Sequence, residues 1–167
     1  MAASDARVGR RQVCWITNEE ERTMSEEENK AIIRKVYEEL NKGNFDVIDE
    51  CFDENFVRYI VSGQTQDRGE TKQFLLGILR IYPDIHRGID WIVAEGSQVA
   101  FSFTWTGTNT GEAPNRPPTG KKATIEECYY SRFENGKIVE YRQYADRLNL
   151  YNQMGVTPPP PPEEIGK

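Results

Sequence analysis

The spacing of apolar residues changes at Ile85, and this change constrains the fold more than any other feature. Before this position apolar side chains recur at helical spacing, which predicts helices between Ser25 and Gly43 and at 71–81. After it they alternate every second residue, which predicts strands. Helices followed by a meander of antiparallel strands define the α+β class, with the helices packed on one face of a curved sheet.

Local signals mark the ends of several predicted elements. Ser25 followed by Glu28 forms a capping box, and Pro83 prevents the helix at 71–81 from continuing. The Asn135-Gly136 dipeptide predicts a tight hairpin turn. The other predicted elements are a short helix at 45–52, an extended segment at 56–61, strands at 85–94, 99–106, 122–133 and 138–146, a long loop at 107–120 and a closing helix ending at Gly155.

The chain of 167 residues is predicted to form one domain between two polar ends. Residues 1–24 show no sustained apolar period and are predicted to be a disordered extension, with Met24 as an alternative start. Residues 25–156 form the predicted domain. Residues 157–167 contain five consecutive prolines and are predicted to be a disordered proline-rich tail.

Charge and composition exclude several functions. The net charge of −6 has the wrong sign for a nucleic-acid backbone, and no apolar run approaches the roughly 20 residues of a membrane span. Cys14, Cys51 and Cys128 are scattered without CxxC spacing, which favours a reducing, cytoplasmic location. With His86 as the one histidine, no metal site is predicted, and the absence of glycine-rich phosphate motifs predicts no cofactor.

The hairpin around Asn135-Gly136 brings polar side chains to one face of the sheet. A two-residue loop pairs residues whose numbers sum to 271. The predicted pairs are Asp146 with Ile125, Tyr144 with Glu127, and Arg142 with Tyr129. A carboxylate on the apolar side of such a sheet would have a raised pKa and could remove a proton from the carbon next to a carbonyl. Tyrosine or arginine donors would then stabilise the enolate.

The same residues permit a non-catalytic interpretation. Asp146 directly before Arg147-Leu148 is a good N-cap for the closing helix. Arg142 could pair with Glu127 or Glu140 on a solvent-facing or dimer-facing patch, and a β-bulge would exchange the two faces of the hairpin. His86 could orient a substrate, or it could be a surface histidine at a strand edge.

Short motifs follow one another along the predicted domain. They are Tyr82-Pro83-Asp84, Ala94-Glu95-Gly96, Trp105-Thr106-Gly107-Thr108, Thr110-Gly111-Glu112, Pro118-Thr119-Gly120-Lys121, Arg132-Phe133, Asn135 to Glu140, Asp146-Arg147-Leu148 and Gln153-Met154-Gly155. In this order, over roughly residues 25–156, the chain resembles the SnoaL-like polyketide cyclase, or ester cyclase, group of the nuclear transport factor 2-like superfamily. The resemblance implies a cone-shaped barrel of a strongly curved, mainly antiparallel sheet, closed at one end by N-terminal helices.

The resemblance also implies a chemistry. In such cyclases an aspartate on the last strand acts as acid and base, without a cofactor, in the intramolecular aldol condensation of a polyketide ester, and Asp146 is the matching position. It further implies an apolar pocket for a small carbonyl-containing ligand, and a homodimer. The candidate substrate-binding residues are Tyr59, His86, Trp105, Glu127, Tyr129, Arg142 and Tyr144.

The residues are also compatible with two other functions. Many relatives carry histidines where this chain has Tyr59, Asn109 and Tyr141, which favours a non-catalytic protein that binds a small molecule or oligomerises. Glu127, Arg142 and Asp146 loosely imitate the water-activating set of a hydrolase or dehydratase.

Overall fold

A computed structural model describes residues 25–112 and 117–158. The predicted extension at 1–24 lies outside the described residues, as does most of the predicted proline-rich tail. The elements are α1 (Glu26–Asn41), α2 (Asp46–Cys51), β1 (Phe52–Tyr59), β2 (Thr65–Gln66), α3 (Arg68–Ile81), β3 (His86–Glu95), β4 (Gln98–Thr108), β5 (Lys122–Glu134), β6 (Lys137–Ala145) and α4 (Arg147–Met154).

The two long helices begin with the same capping chemistry. At α1 the Ser25 hydroxyl accepts from the Glu28 backbone N–H at 3.2 Å, and the Glu28 carboxylate accepts from the Ser25 N–H at 2.8 Å, as the sequence predicted. An equivalent box between Asp67 and Glu70 starts α3 three residues before its predicted start. Both helices therefore begin at fixed points beside the sheet.

The six strands form one curved sheet in the order β2-β1-β6-β5-β4-β3. All neighbouring strands are antiparallel except β1 and β6, which are parallel. β2 and β3 are the two edges, so the sheet stays open rather than closing into a complete barrel. The predicted α+β fold is confirmed, with α1 packed against β3 and β4 and α3 against β1.

The predicted register of the hairpin between β5 and β6 is wrong. Near the turn, Phe133 pairs with Ile138 as expected, but a bulge then inserts Val139, so that Tyr129 pairs with Gln143 and Glu127 with Ala145. Ile138 and Tyr141 are both buried although three residues apart, which regular alternation along a strand does not allow. The bulge turns Tyr141 and Gln143 inward and leaves alternate residues on the outer face.

The core lies between α1, α2 and the concave face of the sheet. Phe101 on β4 is fully buried, its ring stacked on Tyr129 at 5.6 Å and edge-on to Tyr37 at 5.4 Å. Phe52, Phe56 and Tyr141 extend this aromatic cluster toward β1. Among the described residues, no helix is both long and apolar enough to cross a membrane.

Candidate functional site

A partly open cavity lies between the helices and the concave face of the sheet. Most of its wall is apolar. The apolar side chains come from α1, α2, α3 and α4 and from the β1, β3 and β4 region: Val36, Leu40, Ile48, Phe52, Phe74, Leu75, Ile78, Ile85, Phe103 and Leu150. The sheet also contributes charged and polar side chains, which lie deep enough to be almost completely buried.

Glu127 is the acidic residue of the cavity wall, and its side chain is held at both oxygens. It is 6% exposed. Its Oε1 accepts from the indole N–H of Trp105 at 3.1 Å, and its Oε2 accepts from the Gln143 amide at 2.7 Å and from the Tyr129 hydroxyl at 3.4 Å. These three donors fix the orientation of the carboxylate, because each is itself on a strand of the sheet.

Arg58 joins the same network from β1. Arg58 is 2% exposed, because it lies two residues after the buried Phe56 and therefore points to the same, inner face of the strand. Its Nη2 donates to the Tyr129 hydroxyl and to Gln143 Oε1, both at 2.9 Å, and its guanidinium lies 4.6 Å from the centre of the Phe74 ring. Arg58, Glu127, Tyr129 and Gln143 therefore form one continuous buried network.

Arg87 enters the cavity from β3, opposite Trp105 on β4. Asn41 at the end of α1 holds its backbone, donating to the Arg87 carbonyl at 2.7 Å and accepting from its N–H at 2.9 Å. The side chain is 5% exposed, and burial lowers the pKa of its guanidinium. Within residues 25–112 and 117–158, Nη1 of Arg87 has no hydrogen-bond partner.

Three tyrosine hydroxyls in the cavity are held in the neutral form. Burial raises the pKa of Tyr129 to about 12, in spite of the opposing effect of Arg58. Burial also raises the pKa of Tyr37 and of Tyr141 well above the ordinary value. At neutral pH these side chains do not act as phenolate bases. The Tyr141 hydroxyl, which has no partner among the described residues, can donate a hydrogen bond to a ligand.

The structure divides the candidate substrate-binding residues into separate groups. Trp105, Glu127 and Tyr129 line the cavity together. The second group lies on the outer face of the sheet, at a groove beside Val61, and consists of Tyr59, Arg142 and Tyr144. There the Arg142 guanidinium lies 4.2 Å from the centre of the Tyr59 ring, and Tyr144 is 60% exposed.

The remaining candidates lie outside the cavity wall. His86 is exposed at the start of β3. Asp146 is exposed as well, and its carboxylate accepts from the Asn149 N–H at 2.9 Å as the N-cap of α4. Its predicted catalytic role stays a prediction. Tyr141 faces the cavity, and the side chain of Asn109 accepts from the Thr119 N–H in the loop after β4.

Sequence reasoning missed the three arginines and the glutamine of the cavity wall. Arg58, Arg87 and Gln143 lie on strands, and Arg147 is the first residue of α4. The signal that could have revealed Arg58 and Arg87 is the alternation along a strand, because residues two apart point to the same face. Arg87 lies two residues after the apolar Ile85, which indicates an arginine on the inner face. Gln143 was hidden by the bulge, which reverses the predicted face of β6.

The described residues show no cluster of three or more histidine, cysteine or carboxylate side chains that could hold a metal ion. Cys51 is buried and Cys128 half-buried, both as free thiols, and burial raises the pKa of Cys51. Cys14 lies outside the described residues. The chemistry available in the cavity is thus that of one carboxylate, arginine side chains and neutral hydroxyls.

An open curved sheet with helices enclosing a cavity places the chain among small α+β proteins of known structure. AclR, a candidate hydroxylase from Streptomyces galilaeus, is 25% identical with a TM-score of 0.73, covering 83% of this chain and 91% of AclR. IdmH, a candidate polyketide cyclase from Streptomyces antibioticus, is 25% identical with a TM-score of 0.69, covering 77% and 99%. A SnoaL-like polyketide cyclase from Agrobacterium tumefaciens is 19% identical with a TM-score of 0.66, covering 79% and 100%.

The sequence profile of the SnoaL-like polyketide cyclase family matches residues 31–154, from the second turn of α1 to the end of α4. The chain belongs to this family, which confirms the resemblance inferred from its motifs. No curated protein matches the sequence.

Proposed function

We propose that this protein is a cofactor-free enzyme of the ester cyclase kind, which removes a proton from the carbon next to a ligand carbonyl. The observation that carries the proposal is the position of Glu127, a carboxylate 6% exposed in the wall of a largely apolar cavity and oriented by three hydrogen-bond donors. A base that is oriented and shielded from water suits the abstraction of a proton from carbon.

The proposed reaction uses Glu127 as both base and acid. Its carboxylate takes the α proton, and the enolate oxygen that develops is stabilised by donors on the same wall, Arg58 and the Tyr141 hydroxyl. The enolate carbon then forms a carbon–carbon bond with a second carbonyl of the same ligand. The resulting alkoxide takes the proton back from Glu127, so the net reaction is an intramolecular aldol addition with no other reactant.

Asp146 remains the base favoured by sequence similarity, and the two assignments make different predictions. The geometry supports Glu127 because it lines the cavity, whereas the carboxylate of Asp146 accepts a backbone hydrogen bond at the exposed start of α4. Asparagine is as good an N-cap as aspartate, so Asp146→Asn preserves the helix start while removing the charge.

The test is catalysed exchange of α hydrogens for deuterium in D₂O, followed by proton NMR. The panel consists of aromatic compounds with a ketone side chain, each as the carboxylic acid and as its methyl ester. We expect Glu127→Gln to lower the exchange rate at least about 100-fold, the usual scale for a general base, and Asp146→Asn to keep it within about twofold. Arg80→Met, at an exposed arginine of α3, is the matched control. Full activity in Glu127→Gln together with loss in Asp146→Asn would assign the base to Asp146.

A second candidate function is a non-catalytic binding protein. The observation that favours it is that both oxygens of Glu127 already accept hydrogen bonds, which suits a structural carboxylate as well as a reactive one. This function predicts ligand binding with no α exchange above the rate in buffer, in the wild type and in Glu127→Gln alike.

We also propose a homodimer formed through the outer face of the sheet. The register aligns exposed Trp91 with Ser102, Cys128 and exposed Tyr144 in one row across four strands, with exposed Val93 two residues along β3. Exposed apolar patches of this kind mark association surfaces. Sedimentation velocity should give twice the monomer mass for the wild type and the monomer mass for Trp91→Arg. The control Arg34→Glu, on the exposed side of α1, should remain dimeric.

A further inference from the structure

Unsatisfied polar atoms converge on the cavity. Within the described part of the chain, five buried side-chain polar atoms have no hydrogen-bond partner, and four of them belong to residues that line the cavity. These four are Arg58 Nε, Thr71 Oγ1, Arg87 Nη1 and the Tyr141 hydroxyl oxygen. Buried polar groups in folded proteins are nearly always hydrogen-bonded, so this concentration at one place indicates groups that a ligand satisfies.

The charge of the cavity wall defines the ligand that would satisfy them. Arg58, Arg87 and Arg147 contribute three positive charges, and among the lining residues Glu127 contributes the one negative charge. That carboxylate already accepts from Trp105 and Gln143. The wall therefore carries an excess of donors and of positive charge in a region of low dielectric, where an unpaired charge is costly.

We propose that the ligand carries a carboxylate that pairs with Arg87, and an apolar body that lies against α1 and α3. A guanidinium offers two parallel N–H donors that match the two oxygens of a carboxylate. The Val36, Leu40, Phe74 and Ile78 side chains supply the apolar surface for the rest of the molecule. The inference rests on the proposed function, because it names the substrate class of the same cavity: an organic acid rather than a wholly neutral ester.

The position of Arg87 suits this role. Its backbone is fixed by two hydrogen bonds to Asn41, so the guanidinium is presented from a rigid strand rather than a loop. Arg58, in contrast, already donates to Tyr129, Gln143 and Gln66, which leaves one of its donor atoms for a ligand. Of these two strand arginines, Arg87 has the greater unused donor capacity.

The test compares three probes by isothermal titration calorimetry at pH 7: 2-naphthoate, methyl 2-naphthoate and inorganic phosphate. We expect the wild type to bind the acid at least tenfold more tightly than the ester, and to bind phosphate weakly because phosphate has no apolar body. Arg87→Met should remove the preference for the acid and leave the affinity for the ester within about threefold. Arg87→Lys, which keeps the charge but not the paired donors, should retain part of the preference.

Arg80→Met should behave as the wild type, because that arginine is exposed on α3. Equal affinities for acid and ester in the wild type would overturn the proposal, as would a failure of both to bind or an unchanged preference in Arg87→Met. The wild-type comparison needs no variant, so it remains decisive if a substitution prevents folding.

The two measurements distinguish a failure of the proposed carboxylate subsite from a failure of the proposed catalytic base. Glu127→Gln removes the negative charge near the proposed carboxylate, so it should bind 2-naphthoate at least as tightly as the wild type even where α exchange is lost. A preference for the acid combined with full exchange in Glu127→Gln would refute the base assignment alone. Loss of exchange in Glu127→Gln without any preference for the acid would refute the carboxylate subsite alone.

Discussion

Replacing Arg87 with methionine is expected to stabilise the ligand-free protein. Arg87 is 5% exposed, and the Nη1 atom of its guanidinium has no partner within the described residues. A buried donor without a partner costs about 1–3 kcal/mol, and a charged donor costs more. Methionine is similar in length and entirely apolar, so it keeps much of the packing while removing the cost. We expect the free energy of unfolding to rise by about 2 kcal/mol.

The assay is equilibrium unfolding in urea at pH 7, with thermal unfolding as a second measurement. A gain of about 2 kcal/mol corresponds to a rise in Tm of about 4–8 °C for a chain of this size. The slope of the urea transition should be unchanged, because the surface exposed on unfolding is nearly the same. The control Arg80→Met should lie within about 0.5 kcal/mol of the wild type.

The gain in the free energy of unfolding of Arg87→Met should not depend on pH between 5 and 8. Burial lowers the pKa of Arg87 in the folded state, so folding disfavours its protonated form. The cost of burying the protonated guanidinium is complete at every pH below the lowered pKa. This cost diminishes only when the pH rises through that value toward the pKa of the unfolded chain. Arginine stays protonated throughout the measured range, so the difference between Arg87→Met and the wild type should stay constant.

A loss of more than about 1 kcal/mol in Arg87→Met would refute this reasoning, because it would show that the native protein satisfies the guanidinium. Ligand supplies a second check. At 100 times its dissociation constant, 2-naphthoate should stabilise the wild type by about 2.7 kcal/mol, and it should stabilise Arg87→Met much less.

Substitutions at three further positions test the helix cap, the core and the buried hydroxyl. Asp146→Ala should cost about 1 kcal/mol in urea unfolding because it removes the acceptor for the Asn149 N–H, whereas Asp146→Asn should cost less than half as much. Phe101→Ala should cost about 3–5 kcal/mol in the same assay, since the ring is fully buried. In the wild type, the raised pKa of Tyr129, about 12, provides stability that is complete below about pH 10 and lost as the pH rises through 12. Between pH 9 and pH 12, the free energy of unfolding of Tyr129→Phe should therefore fall by about 2–3 kcal/mol less than that of the wild type.

Each of these expectations has a clear contrary result. Equal destabilisation by Asp146→Ala and Asp146→Asn would contradict the capping role. A cost below about 1 kcal/mol for Phe101→Ala would mean that the ring contributes little to the core. The same alkaline loss of stability in the wild type and in Tyr129→Phe would assign that loss to other groups.

Local chemistry makes most of the elements predictable from the sequence. The Ser25 capping box and the Asn135-Gly136 turn depend on neighbouring residues, and both occur as predicted. β2 could not be predicted, because two residues are too few to show a period. The bulge at Val139 depends on tertiary packing, which requires both Ile138 and Tyr141 to face the core.

The candidate site was less predictable for the same reason. Trp105 and Glu127 were both predicted to bind substrate, and both line the cavity, since β4 and β5 alternate regularly at these residues. Their role in binding stays a prediction. Beyond the bulge a shift of one residue moves every side chain of β6 to the opposite face. Arg142 and Tyr144 were therefore expected opposite Tyr129 and Glu127, where Gln143 and Ala145 lie. A register error of one residue thus placed Arg142 and Tyr144 on the wrong face of the sheet.

The parallel pairing of β1 with β6 has a consequence for how the chain folds during synthesis. β3, β4 and β5 are neighbours in both sequence and sheet, so they can form a meander as soon as they leave the ribosome. β1 has no place in that sheet until β6 is made, and the bond from Arg58 to Gln143 joins residues 85 positions apart. The buried polar wall of the cavity is therefore assembled last, and a nascent chain halted before β6 would expose the apolar concave face of the meander to aggregation.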